Sequence, residues 1–313
     1  MPLLRINATD RGLALHGSAQ PLWPTLNARV LAGDGPIVIM VHGFRFAPGA
    51  GADCPHVHIL STRDEPTHWK ALSWPRALGF VDGDSPGLGI ALGWPAMGSL
   101  WQAFQCAQDT GAQLAQLLDH LRQLAPHRPI HAIGHSMGAR VILTALRHAR
   151  PGSLNRALLL APAEFHSAAA AALNSPAGRT AEVFSITSGE NDLYDFALEQ
   201  LIAPPVPGDR TMGAHPPRTA NLVTLQLDDP NVLDLLSARG LPVAPPQRRI
   251  CHWSAYLRPG VFDLYRALLF QPQRHPLSAL RAALPDQPQP RWSRLRILPR
   301  PRAPLPFPRK AAS

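Results

Sequence analysis

An α/β fold, with a mostly parallel central sheet and helices on both faces, is predicted by three features of the sequence. Short apolar runs rich in branched residues alternate with longer stretches of helical period through the middle of the chain. One run, residues 37–41 (IVIMV), is apolar at every position, as suits a strand covered on both faces. Over 313 residues, 45% hydrophobic against 16% charged content is ample for a large buried core and rules out wholesale disorder.

The elements follow in order. Residues 3–7 and 13–15 read as short strands around a turn at Asp10-Arg11-Gly12. The IVIMV strand follows the turn signal Gly33-Asp34-Gly35-Pro36. From 43 to 86 the chain has no sustained period and reads as a long excursion over the sheet, a candidate lid. Residues 89–93 form a strand, and 100–124, free of proline and apolar at helical spacing, an amphipathic helix ending before Pro126. Strand 129–133, helix 137–149, strand 156–160, a small helix at 168–173, strands 181–187 and 222–227, and a final helix at 261–270 complete a body of residues 1–270.

The formal charge of +9 is unevenly placed. Residues 271–313 hold nine Lys/Arg and one acid, Asp286, a net +8 that leaves +1 for the body. Ten residues of that tail are proline, so it reads as extended or disordered, and its arginines are candidate contacts for an anionic surface. With the charge confined to the tail and no nucleic-acid motif present, whole-chain basicity is no argument for nucleic-acid binding. Lysine is nearly absent: Lys70 and Lys310 are the two in the chain. Three scattered cysteines, Cys54, Cys106 and Cys251, imply no disulfide framework. No apolar run reaches membrane-spanning length, and the N-terminus lacks a signal-peptide pattern, so a cytoplasmic location is expected.

The most informative motif is Gly134-His135-Ser136-Met137-Gly138, a G-x-S-x-G between an apolar strand and a helix. A serine in that sharp turn projects its hydroxyl beyond the sheet. The flanking glycines avoid collisions across the turn, and the helix N-terminus offers free N–H groups where an oxyanion would form. His42-Gly43-Phe44, after the IVIMV strand, is the second signal: glycine permits close approach of the backbone, and the next N–H faces developing charge. The N–H groups of Phe44 and Met137 are therefore the candidate oxyanion hole, and His42 a structural brace.

On these residues, and on Gly93-Trp94-Pro95-Ala96 before the long helix, the chain resembles α/β-hydrolase-fold serine hydrolases of the lipase/esterase kind, in particular bacterial hydrolases of unknown function. The resemblance covers about residues 30–270 and implies a Ser-Asp-His triad in that chain order. Ser136 is the nucleophile. Asp192, in the turn Ser188-Gly189-Glu190-Asn191-Asp192, is the expected acid, with Asp195 and Glu164 as competitors. His252 is the expected base, with His215 as competitor. The implied reaction is hydrolysis of a small-molecule ester through an acyl-enzyme, without cofactor or metal. Thioesterase or acyltransferase chemistry would use the same residues, and a non-catalytic scaffold on this fold is the contrasting reading. Asp53, Cys54, His56, His58 and His68 cluster in the excursion but match no zinc template, so they read as polar loop residues. Trp69, Trp74, Trp94 and Trp101 either line an acyl pocket or pack the excursion onto the sheet.

Overall fold

The computed structural model describes residues 2–66, 68–81 and 85–285. Residues from 286 on, most of the arginine- and proline-rich tail, lie outside the described residues, and the expectation that they are extended or disordered lies there with them. Eight strands form one sheet: β1 (Leu3–Thr9), β2 (Gly12–Leu15), β3 (Ile37–Val41), β4 (Leu88–Gly93), β5 (Ile130–His135), β6 (Arg156–Leu160), β7 (Glu182–Thr187) and β8 (Leu222–Gln226). Their order is β2-β1-β4-β3-β5-β6-β7-β8, antiparallel at the β1–β2 edge and parallel everywhere else.

The helices are α1 (Leu22–Leu31), α2 (Trp74–Ala77), α3 (Leu100–Leu124), α4 (Met137–His148), α5 (His166–Leu173), α6 (Asp192–Leu201), α7 (Pro230–Ala238), α8 (Ser254–Leu257), α9 (Val261–Phe270) and α10 (Leu277–Ala283). The sheet's pleat divides the core in two. Ile37, Ile39 and Val41 of β3 join the α1, α3 and α4 side, while Val38 and Met40 face the layer built on α7 and α9. All five β3 residues are buried, because a central parallel strand has helices on both faces. This sheet order with helices on both faces is the α/β-hydrolase architecture.

Strand β3 sits between β4 and β5, so the chain leaves it in one direction for β4 and returns through α3 to the other side at β5. At such a reversal the carboxyl ends of neighbouring strands open a crevice. The ends of β3 and β5 carry Gly43 and Ser136, so topology brings the two sequence motifs together. Helix α3, which forms the return path, opens with a capping box: the Gln102 N–H donates to the Ser99 hydroxyl, and the Ser99 N–H to the Gln102 carboxamide.

Three features differ from the sequence reading. The excursion is anchored: Ile59, Leu60, Trp74, Leu78 and Phe80 are buried in the second core, so much of it is wall rather than lid. Trp74 and Trp94 are fully buried packing residues, whereas Trp69 and Trp101 are 51% and 58% exposed. The folded body also passes Phe270. Leu277 and Leu280 of α10 are buried, and Arg156 donates to the carbonyls of Leu268 and His275, tying this segment to β6. Helices α1, α6 and α7, unexpected from the sequence, are short and interrupted by proline or acids near their starts, which blurs their apolar period.

Candidate active site

The turn from β5 into α4 holds Ser136 at φ 56° and ψ −120°, a backbone state rare for a side-chain-bearing residue. Such strain costs on the order of 1–3 kcal/mol and persists where the surroundings enforce it. Here they do. Ser136 N–H donates to the Leu160 carbonyl at 2.9 Å, and the Ser136 carbonyl accepts from Ala139 and Ala163 at 3.0 and 3.1 Å. A Cβ at Gly134 would lie 2.7 Å from the Gly138 carbonyl carbon. One at Gly138 would lie 2.6 Å from the His42 carbonyl oxygen and closer still to that of Val41. Both glycines are thus required by backbone packed on backbone, and at Gly134 the Ile142 side chain crowds the same space.

Gly43 faces this turn from β3. A Cβ there would stand 3.0 Å from Ser136 Cβ and 2.9 Å from the His135 carbonyl oxygen. The loop is braced by His42: its Nδ1–H donates to the Gly43 carbonyl at 2.8 Å, and its Nε2 accepts the Trp94 N–H at 2.9 Å. The Trp94 indole N–H returns a bond to the His42 carbonyl at 2.8 Å, and the two rings stack at 5.4 Å. Both ring nitrogens are committed to backbone, and burial pushes the His42 pKa down to about 3, so this histidine is a neutral strut. Among the described residues, the N–H groups of Phe44 and Met137 donate to no partner within the chain. They belong to the two motifs that Gly43 and Ser136 bring together.

His252 packs on the residue before Ser136. Its ring lies 4.5 Å from that of His135, the residue before Ser136, and His135 Nε2–H donates to the His252 carbonyl at 2.9 Å. Tyr194 of α6 stacks on the other face at 4.6 Å. His252 Nδ1 is 2.6 Å from Asn191 Oδ1. With the amide oxygen facing the ring, Nδ1 carries the proton and Nε2 keeps its lone pair, the tautomer a general base needs. Burial, then His135 and Lys70, hold the His252 pKa well below its ordinary value. The Ser136 hydroxyl makes no hydrogen bond among the described residues, His252 included; such bonds commonly tighten only with substrate in place.

The residue on Nδ1 is therefore Asn191 and not Asp192, where the sequence reading put the acid. The cause is the turn. Residues Gly189–Asn191 form a 3₁₀ turn capped by the Ser188 hydroxyl, and side chains in such a turn fan out about 120° apart. Glu190 is directed to a buried ion pair with Arg258, Asn191 to His252, and Asp192 opens α6 with its side chain fully buried. The competitors are elsewhere. Glu164 is in a buried ion pair with Arg140 and accepts the Phe165 N–H. Asp195 is buried against Gly213. His215 is exposed beside His166, its ring 5.0 Å away. Among the described residues no three His, Cys, Asp or Glu side chains converge as a metal would need. His56 instead bonds Asn7 at 2.8 Å and packs at a tilt on His16, and His58 packs on Phe46.

The sequence reading passed over Asn191, Tyr194, Lys70 and Trp253. Lys70 Nζ stands 3.2 Å from the Trp253 ring centroid and 5.0 Å from that of Trp69, on the rim beside His252. Near-absence of lysine elsewhere was the available signal for Lys70; for Asn191 it was adjacency to the expected acid.

A profile for a family described as a protein of unknown function (DUF726) matches residues 86–173, the span from β4 through the Ser136 turn to α5. No curated protein matches. Among solved structures, the chain is similar to the catalytic core domain of acetyl xylan esterase from Trichoderma reesei, at 13% identity and TM-score 0.26 over 49% of this chain and 64% of that one. It is similar to an acetylxylan esterase at 12% identity and TM-score 0.35, over 78% of this chain and all of that one. It is also similar to Aspergillus fumigatus lipase B at 13% identity and TM-score 0.40, over 85% and 62%. The chain thus spans less than two thirds of the first and the last. The fold assignment itself rests on strand order. No helix among the described residues is long and apolar enough to cross a membrane.

Proposed function

We propose that this chain is a serine hydrolase that cleaves small-molecule carboxylic esters through an acyl-enzyme. The observation that carries the reading is the Ser136 turn: a strained serine at the head of α4, facing Gly43, with two unpaired N–H groups in the meeting motifs and a neutral histidine packed on His135. Ser136 Oγ attacks the ester carbonyl while His252 Nε2 takes its proton. The N–H groups of Phe44 and Met137 stabilise the oxyanion, and His252 returns the proton to the departing alkoxide. Water, activated by the same imidazole, then releases the acid. The orienting role expected of Asp192 falls to Asn191, which fixes the tautomer of His252 but adds no charge to stabilise the imidazolium.

That neutral partner is the one observation favouring a non-catalytic binding module. Labelling with a fluorophosphonate, which reacts covalently with activated serines, separates the two. Wild-type protein should label and hydrolyse a 4-nitrophenyl ester, and Ser136→Ala should lose both, with kcat down at least about a thousandfold. A folded wild type that neither labels nor turns over ester is a binding module.

A further inference from the structure

The rim beside His252 is cationic and aromatic. Lys70 Nζ sits in the corner made by Trp69 and Trp253, whose rings meet edge to face at 5.7 Å, and the Arg248 guanidinium lies 5.2 Å from the Trp69 ring centroid. Arg45 follows the oxyanion residue Phe44 directly and is held at φ 74°, its N–H donated to the Ala96 carbonyl at 2.9 Å. Its charge reaches Lys70: burial foremost, with Arg45 adding to it, pushes the Lys70 ammonium down, against the opposing influence of Cys251. None of Arg45, Lys70 or Arg248 is in an ion pair among the described residues. Of the acids, Asp53 acts on His58, also in the excursion. The body outside the tail is otherwise near neutrality, so three uncompensated cations at one mouth are a local feature.

This placement opposes the chemistry unless something answers it. General-base catalysis turns His252 into an imidazolium, Lys70 repels that charge, and Asn191 offers no carboxylate to offset it. Resting on the hydrolase reading, we propose that the substrate itself carries a negative group, carboxylate or phosphate, seated among Arg45, Lys70 and Arg248, and that this charge supplies the counter-charge the orienting residue lacks. The two tryptophans form the walls against which the apolar part of the substrate lies, excluding water and strengthening the charge interaction.

The test uses the full chain and 4-nitrophenyl esters matched in acyl length: butyrate, the half-ester of glutarate, and a phosphonate-terminated acyl ester. A second pair, phenyl butyrate and its 4-carboxyphenyl analogue, places the charge on the alcohol. In at least one pair the anionic ester should exceed the neutral one at least about tenfold in kcat/KM at low salt, with the gap narrowing at 0.5 M NaCl. The carboxylate and phosphonate arms show which oxyanion fits. Lys70→Gln and Arg45→Gln should each lower the anionic-to-neutral ratio, and Asn191→Asp, by restoring the charge, should lower it through kcat rather than KM. Equal kcat/KM in every pair, or ratios unmoved by both charge-removing variants, overturns the inference while leaving the hydrolase intact. Calorimetric binding of the same esters to Ser136→Ala needs no turnover. Tighter binding of the anionic member there supports the cationic seat even if wild type proves inert, and equal binding overturns it.

Discussion

The two halves of the candidate site are built in different ways. The nucleophile half, β5 with the Ser136 turn and α4, is held by backbone on backbone: every residue from Ile130 to Leu146 is buried, and two glycines sit where any Cβ would strike a neighbouring main chain. The histidine half is a set of loop residues held by side chains: Asn191 on Nδ1, His135 on the carbonyl, Tyr194 on the ring, and a Glu190–Arg258 pair beneath. A site made by main-chain packing tolerates almost no substitution and reads clearly in sequence. One made by converging side chains can exchange a carboxylate for an amide without changing the fold.

The largest expected effect concerns acid. His42, His56, His58, His131 and His135 are all buried, with pKa values lowered by burial to about 3, 2, 4, 3 and 4. Each is neutral in the folded chain and protonates near pH 6.5 once unfolded, so stability is full above about pH 6.5 and lost as pH falls toward the folded values. Three of them, His42, His131 and His135, belong to β5 or to the loop facing it. Denaturant unfolding should therefore show a loss on the order of 5 kcal/mol between pH 7 and 5.5. A flat profile over that range would break the contrast, by showing that the nucleophile half does not depend on dry, neutral histidines.

Next in size is Gly138→Ala. Its Cβ would meet the carbonyl oxygens of Val41 and His42, so a loss of at least about 3 kcal/mol is expected in the same unfolding measurement, with the Ser136 turn displaced. On the other half, Asn191→Ala should leave stability nearly intact and lower kcat about 10- to 100-fold, because His252 loses its orientation. Asn191→Asp sharpens the point. A carboxylate raises the His252 pKa, so the acid limb of the kcat/KM profile should move to higher pH; an unmoved limb would separate residue 191 from the base proposed at His252. Smallest is Ser99→Ala at the start of α3, far from either half, which should cost about 1 kcal/mol of stability without altering the pH profile.

These halves also differ in how much was legible beforehand. The Ser136 turn and the His42-Gly43-Phe44 loop were readable because their requirement is local: small residues at fixed spacing between a strand and a helix. The orienting residue was not. In Ser188-Gly189-Glu190-Asn191-Asp192 three adjacent polar side chains compete, and a 3₁₀ turn that aims them in three directions decides which meets His252. Residues 43–86 likewise read as an excursion over the sheet, since their apolar residues have no period, yet Ile59, Trp74 and Phe80 are buried in the core.

The sequence by itself determined the layered α/β architecture, the buried central strand and the strained serine. Periodicity, branched apolar runs and obligatory glycines act over a few residues and are written in order along the chain. Tertiary structure alone decided that Asn191 holds His252, that Arg45, Lys70 and Arg248 share one rim, and that the body continues through α10. Each of those joins residues far apart in sequence, where sheet order and loop conformation, rather than local chemistry, set what touches what.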